Sequence, residues 1–383
     1  MIKRPRFFSS PRTLGNWTFR VLLLSSLVVL YFCLSFIFPF PSPSLSLTFP
    51  TGSNSVSSAY NQQLENLRKV FYYTMDRQLA GIRDVALVHL PCTADSENFL
   101  SILGQRQYLK ERNISVRFES CSSKFKQSVA NATFPKLHPM YAAVLHAAPI
   151  KSSPFNLQDV VTSSQPSLNS IRQFKLRSFP VNYPFFVDDN MQRALHAMRG
   201  RGHPDAYLTS SRITEDTRYA RSGAGTFTFA PDSSITYLNQ LNHFYQPKGS
   251  KNKVNLILSR DHNVPIAGSR AIKYPWAINF WGPEQDRKIL NVNTTLVEQA
   301  TQMLDYAQLL VSESPYFITD KFQLHLLATY ANLKHVYIIN DYESEFGKYE
   351  LDWLQGLHSK GNIAVAKDLY SAMLVVKDWL GDN

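Results

Sequence analysis

The chain has 383 residues, 44% of them hydrophobic, and a formal charge of +11. Five of the positive charges, Lys3, Arg4, Arg6, Arg12 and Arg20, fall in the first twenty residues, which hold no acid, so the rest is only mildly basic at +6. That balance excludes the basic footprint of a nucleic-acid binder, and the three cysteines lack zinc spacing, so no metal site is expected.

Residues 21–38 (VLLLSSLVVLYFCLSFIF) carry no charge. As a helix rising ~1.5 Å per residue they span about 27 Å, close to the hydrocarbon core of a bilayer. Their few serine hydroxyls and Cys33 can bond within the helix. A basic flank precedes them, and Pro39, Pro41, Pro43 and Pro50 follow. The positive-inside rule therefore makes 1–20 a cytosolic tail, 21–38 a transmembrane signal anchor, and the remainder luminal. A cleaved signal peptide would have a shorter apolar run and a small-residue cleavage site. The short span suits early secretory membranes, so the expected location is the Golgi or endoplasmic reticulum membrane, single-pass type II. Residues 39–59 are rich in Pro and Ser, with no charged side chain, and read as a semi-extended stem.

A helix is expected over 60–80, where Leu64, Leu67, Phe71, Met75 and Leu79 recur three or four apart. Then follow a strand at 84–90, a helix at 98–112, strands at 114–119, 141–147 and 176–182, a helix at 188–198 and a strand at 205–210. After a polar linker near 240–252 the style repeats. It gives a strand at 254–259, a helix at 295–307, a strand at 309–312, a helix at 320–330, strands at 335–340 and 363–366, and a closing helix at 369–380. Such alternation implies parallel sheets covered on both faces. The expected fold is α/β, with two doubly wound Rossmann-like lobes, 60–245 and 246–383. Ligands in such sheets bind at strand carboxyl ends, so the cleft between lobes is the default site.

Cys92 and Cys121 each follow a predicted strand and face an oxidising lumen. A bridge and two free buried thiols both fit. Asn113, Asn131 and Asn293 each open an N-x-S/T triplet, the acceptor pattern for glycosylation.

The stretch 309–353 gathers the polar chemistry. Thr319 and Asp320 are N-cap candidates for the helix that follows. A helix start offers free N–H groups and a positive dipole end, which suits a phosphate or carboxylate. Lys321 sits in its first turn, with Gln323 and His325 just after, and Lys348 lies past the next strand. No P-loop, G-x-S-x-G, dinucleotide fingerprint or H-E-x-x-H occurs.

The course Thr319-Asp320-Lys321-Phe322-Gln323, Asn340-Asp341-Tyr342, Phe346-Gly347-Lys348 and Trp353-Leu354 resembles the polysaccharide pyruvyl transferase family, and within it the fungal cell-wall galactomannan branch. Upstream, Arg212 at a strand end, Tyr219-Ala220, Pro231-Asp232, Arg260-Asp261, and Gly104 with Tyr108-Leu109 follow the same order. The resemblance implies a GT-B-like head that moves pyruvate from phosphoenolpyruvate onto a sugar diol as a ketal, with no cofactor. The acceptor is a galactose-containing glycan, and other glycan transferases are expected partners. Cations must clamp the donor's phosphate and carboxylate, and a general acid must protonate its enol carbon. The resemblance makes Gln323 and His325 the catalytic candidates, and Arg212, Lys321, Lys348 and Arg260 the substrate-binding ones.

Three departures matter. Lys321 stands where the family has Arg and loses the planar bidentate fork. Gln323 stands where it has His, and an amide is no general acid. The family's glycine-rich loop has no counterpart after 141–147, where Ala148-Pro149-Ile150-Lys151 follows. The expectation is therefore a pyruvyl transferase-like protein of cell-wall glycan synthesis with reduced or no transfer activity. The alternatives are a GT-B-like nucleotide-sugar galactosyltransferase, with Arg212 and Lys321 on the diphosphate, and a non-catalytic glycan-binding or scaffold partner.

Overall fold

The computed structural model describes residues 53–121, 138, 140–146, 175–180, 207–209, 227–241, 253–259, 276–291, 293–342, 344–360 and 362–381. The predicted tail, anchor and most of the stem, the helix at 188–198 and nearly all of the linker lie outside them. So do Arg212, Arg260 and Asn131. No helix among the described residues is long and apolar enough to cross a membrane.

The chain begins its described course with α1 (Ser53–Gln78), whose Tyr60, Leu64, Phe71, Met75 and Leu79 are buried. Then come β1 (Asp84–Leu90), α2 (Phe99–Glu111), β2 (Ser115–Cys121), β3 (Ala142–His146) and β4 (Lys175–Ser178). These strands make an all-parallel sheet in the order β2-β1-β3-β4. Two short parallel strands, β5 (Tyr207–Thr209) and β6 (Phe227–Phe229), lead to a 3-10 turn (Ser233–Tyr237) and α3 (Leu238–Leu241).

The second series holds β7 (Val254–Leu258), β8 (Trp276–Phe280), α4 (Pro283–Ile289), α5 (Leu296–Ser312), β9 (Tyr316–Thr319) and α6 (Phe322–Tyr330). It closes with β10 (His335–Ile338), α7 (Glu345–Tyr349), β11 (Ile363–Ala366) and α8 (Leu369–Leu380). Its five strands are parallel, in the order β11-β10-β9-β7-β8. The chain is thus mixed α/β with parallel sheets. Alternation along β7 sends Val254, Leu256 and Leu258 to the face covered by Leu369, Ala372 and Val376 of α8. Ile257 joins the larger core on the other face, with Phe317, Phe322, Leu324 and Tyr337. Asn255 is fully buried in β7 and satisfied: its Nδ2 donates to the Leu310 carbonyl at 2.7 Å, and its Oδ1 accepts from Asn279 at 2.6 Å.

Two predicted elements are corrected. The strand placed at 309–312 is the last turn of α5, and the strand comes later, at Tyr316–Thr319. A capping box starts α5, with Thr295 and Glu298 closing on each other, and buried Ala300, Met303, Leu304, Ala307, Leu310 and Val311 keep its helical spacing. The helix expected from 320 begins at Phe322, with Lys321 as a cap that makes no side-chain capping bond. Asp320 turns away because its carboxylate accepts the Ser259 N–H at 2.9 and 3.1 Å and also the Ser259 hydroxyl. The elements β6, α3, β8, α4 and α7 went unpredicted.

Cys92 and Cys121 form a disulfide with their Cα atoms 4.8 Å apart. It joins the carboxyl ends of β1 and β2, where Leu90 pairs with Cys121. Closing a loop of sequence separation 29 stabilises a fold by about 3–4 kcal/mol in the chain-entropy account. A Cys92→Ser/Cys121→Ser variant is expected to lose about that much, read as a lower urea midpoint.

Candidate functional site

The loop after β1, the start of α4 and the cap of α6 meet around a cavity of about 290 Å³. Its wall includes Asp95, Ser96, Glu97, Asp286, Arg287 and Lys321, with Ala94, Pro283 and Leu290 as apolar lining. These groups lie at strand carboxyl ends of both sheets, where α/β sheets hold ligands. Lys321 is 5% exposed and donates to Glu97 Oε1 at 3.0 Å. Asp286 accepts from the Trp281 indole at 2.7 Å and from Ser96 Oγ at 3.2 Å, so it ties the β1 loop to α4. Asp95 Oδ1 accepts the Glu97 N–H at 2.9 Å. Burial, helped by the charges of Asp286 and Glu97, pushes the Asp95 carboxyl up to about 6, against the pull of the Glu97 N–H and of Lys321. Burial also raises Asp286.

Neither catalytic candidate lines this cavity. Gln323 is fully buried and faces α2: its Oε1 accepts the N–H groups of Leu100 and Ser101 at 3.1 and 3.2 Å, and its Nε2 donates to Ser101 Oγ at 3.2 Å. Asn98, the residue before α2, makes no side-chain capping bond, so Gln323 caps that helix from across the molecule. Its amide occupies donors that a helix start otherwise offers to an anion. The network continues inward. Ser101 Oγ donates to Asp232 Oδ1 at 2.8 Å, the Ser234 N–H donates to the same oxygen at 2.8 Å, and the Asp232 N–H donates to the Tyr349 hydroxyl at 3.0 Å. Burial raises Asp232.

His325 points the other way, just over half a turn on, and is likewise fully buried. Its ring stacks on Tyr337 with centroids 4.2 Å apart and 8° between planes. Nδ1 meets His335 Nε2 at 2.8 Å, and Nε2 meets Glu350 Oε2 at 2.7 Å. His335 Nδ1 meets the Leu333 carbonyl at 2.8 Å, and His358 Nε2 reaches the other Glu350 oxygen. The Leu333 carbonyl accepts at one end of this chain and the Glu350 carboxyl closes the other. Burial, then the neighbouring His325, drives His335 down to about 3. Burial works to raise Glu350, but the charge and hydrogen bond of His325 and the bond from His358 prevail and hold it at about 2.

These shifts have opposite consequences for stability. The depressed groups contribute stability that is full at neutral pH. The His335 part is lost as pH falls from about 6.5 toward about 3, and the Glu350 part from about 4.5 toward about 2. Asp95 is raised, so its contribution grows as pH falls from about 6 toward 3.8. An Asp95→Asn variant is therefore expected to have a higher urea midpoint than the native chain at pH 7, with the difference gone near pH 4. Equal midpoints at pH 7 would contradict the buried-charge account of Asp95.

The remaining sequence candidates disperse. Lys348 lies in α7 and does not line the cavity. Asn113, with a φ of 52°, ends the turn after α2 and is exposed; Asn293 is exposed in the turn before α5. Sequence reasoning missed Asp286, Arg287 and Glu350. Gly282-Pro283 ahead of two acids was a helix-start signal for α4, but nothing local marks Glu350 as buried.

The chain is 36% identical over 371 residues to the pyruvylated Gal-beta-1,3-epitope synthesis protein 5 of Schizosaccharomyces pombe, and the match covers 96% of each chain. The chain belongs to the pyruvyl transferase family. No protein-family model matches it. Among solved structures, a functionally uncharacterised protein of Klebsiella pneumoniae aligns at a TM-score of 0.49 and 12% identity, over 79% of this chain and 99% of its own. A wall teichoic acid polymerase aligns at a TM-score of 0.29 and 10% identity, over 85% of this chain and 91% of its own. A place in this family is consistent with a cell-wall glycan, pyruvyl transferase-like role. Gln323, expected at the family's general-acid position, caps α2, and Lys321, expected at its arginine position, is paired with Glu97.

Proposed function

We propose that this chain works in the galactosylation and pyruvylation of cell-wall galactomannan, as a family member that does not itself transfer pyruvate. It is a type II protein of the Golgi or endoplasmic reticulum membrane, anchored by 21–38, with a GT-B-like head on the luminal side. It assists a true transferase on a galactose-bearing glycan. One observation carries the reading: the Gln323 amide fills the α2 N–H groups of Leu100 and Ser101. An anion approaching that helix start finds it capped, and no acid stands at that position to protonate an enol carbon. Commitment of Lys321 to Glu97 agrees with it, and the name of the fission-yeast relative, a pyruvylated Gal-beta-1,3-epitope synthesis protein, supports the choice of pathway.

The test uses the full-length chain in detergent with phosphoenolpyruvate and a galactoside. No acid-labile pyruvate should appear on the sugar, whereas cells lacking the chain should make wall galactomannan without pyruvylated galactose. Ketal formation by the purified chain would overturn the non-transferring part. A wall unchanged by deletion would overturn the place in the pathway.

A further inference from the structure

Deepening that reading, and resting on it for the pathway, we propose that the cavity between Asp95, Asp286 and Lys321 binds one neutral pyranose unit of a glycan, in place of a phosphorylated donor. Size argues first. About 290 Å³ lies at the lower edge of ligand pockets, where a single ring fits and a nucleotide sugar does not. Charge argues second. Asp95, Glu97 and Asp286 face the cavity against Arg287 and Lys321, and Lys321 is already neutralised by Glu97. A dianion would enter beside three carboxyls and find no cation to itself except exposed Arg287, whose Nε donates to the Pro283 carbonyl at 3.3 Å.

The donor set argues third. A sugar hydroxyl both donates and accepts, so a site for it needs both kinds of partner close together. Asp95 accepts the Glu97 N–H on one oxygen; its other oxygen has no hydrogen bond among the described residues. Carboxylates there accept from hydroxyls, and the Arg287 guanidinium donates to them. Ala94, Pro283 and Leu290 give an apolar wall for the C–H face of a ring.

Calorimetry on the full-length chain in detergent tests this with methyl β-galactopyranoside, methyl α-mannopyranoside, phosphoenolpyruvate and inorganic phosphate. At least one pyranoside is expected to bind ten times or more tighter than either anion. Leu290→Trp, which fills the cavity and leaves every charge in place, should weaken it at least tenfold with cooperative melting retained. If that variant fails to fold, Arg287→Trp at the exposed rim should give the same loss. The proposal is overturned if either anion binds as well as the sugars, if no pyranoside binds the folded native chain, or if the filled variant binds unchanged. Pyruvate transfer in the assay above would sink the non-transferring reading and leave sugar occupancy standing. Absence of sugar binding beside a wall defect would do the reverse.

Discussion

Replacing Glu350 with alanine is expected to destabilise the fold by about 3 kcal/mol or more, the cost of a cavity and of histidine ring nitrogens left without their partner. Glu350 is 1% exposed, and its two carboxylate oxygens meet His325 and His358. Without it the buried His325 ring, set among Phe322, Tyr337 and His335, loses the partner of its Nε2. A fall of this size is a large part of the 5–15 kcal/mol that keeps a domain folded, so low yield and a much lower urea midpoint are the expected readouts. The decisive comparison adds His325→Phe to Glu350→Met. If the loss comes from the broken His325–Glu350 contact, the double variant is more stable than the sum of the two single losses requires. Strict additivity would mean that the pair is not coupled.

Gly104→Ala is expected to cost about 3 kcal/mol or more, although alanine is the better helix former by about 1 kcal/mol. A Cβ at Gly104 would lie 2.0 Å from the Ser233 carbonyl oxygen, 2.5 Å from its carbon and 2.8 Å from Ser234 Cα. All three are backbone atoms, so no side chain can swing away. The 3-10 turn must lift off α2, and three bonds stretch with it: Thr236 Oγ1 to the Gly104 carbonyl at 2.6 Å, Ser233 Oγ to the Ser101 carbonyl at 3.0 Å, and Ser101 Oγ to Asp232 at 2.8 Å. Each is worth about 1 kcal/mol net and more when a buried group is left alone. Chemical denaturation of the variant checks the figure. A stability equal to the native chain would show that the turn does not press on the helix.

The parallel sheets were legible because their signal is local. All five residues of β7 are buried and four of them are apolar, with only Asn255 between, as suits a strand covered on both faces. The same rule misread Leu309-Leu310-Val311, where a short apolar run closes a long helix and periodicity alone does not separate the two. The stretch around Lys321 stood out because its residue types cluster. Its partners did not, since Asp286 meets Ser96 across 190 residues and Lys321 meets Glu97 across 224. Such meetings are made by packing, and no window of sequence contains both halves. Gln323 and His325 had the opposite problem. They sit in the segment that draws attention, yet both are spent on the interior.

The Tyr60 hydroxyl donates to the Thr329 carbonyl, 269 residues further along the chain. At the ribosome's pace of roughly 5–20 residues per second, the opening helix waits roughly 15–50 s for that partner to be made. Protection of the Tyr60 end of α1 from protease should accordingly arrive late, once α6 has been made, whereas its Phe71–Asp76 end can pack on Tyr108 and Arg112 as soon as α2 is complete.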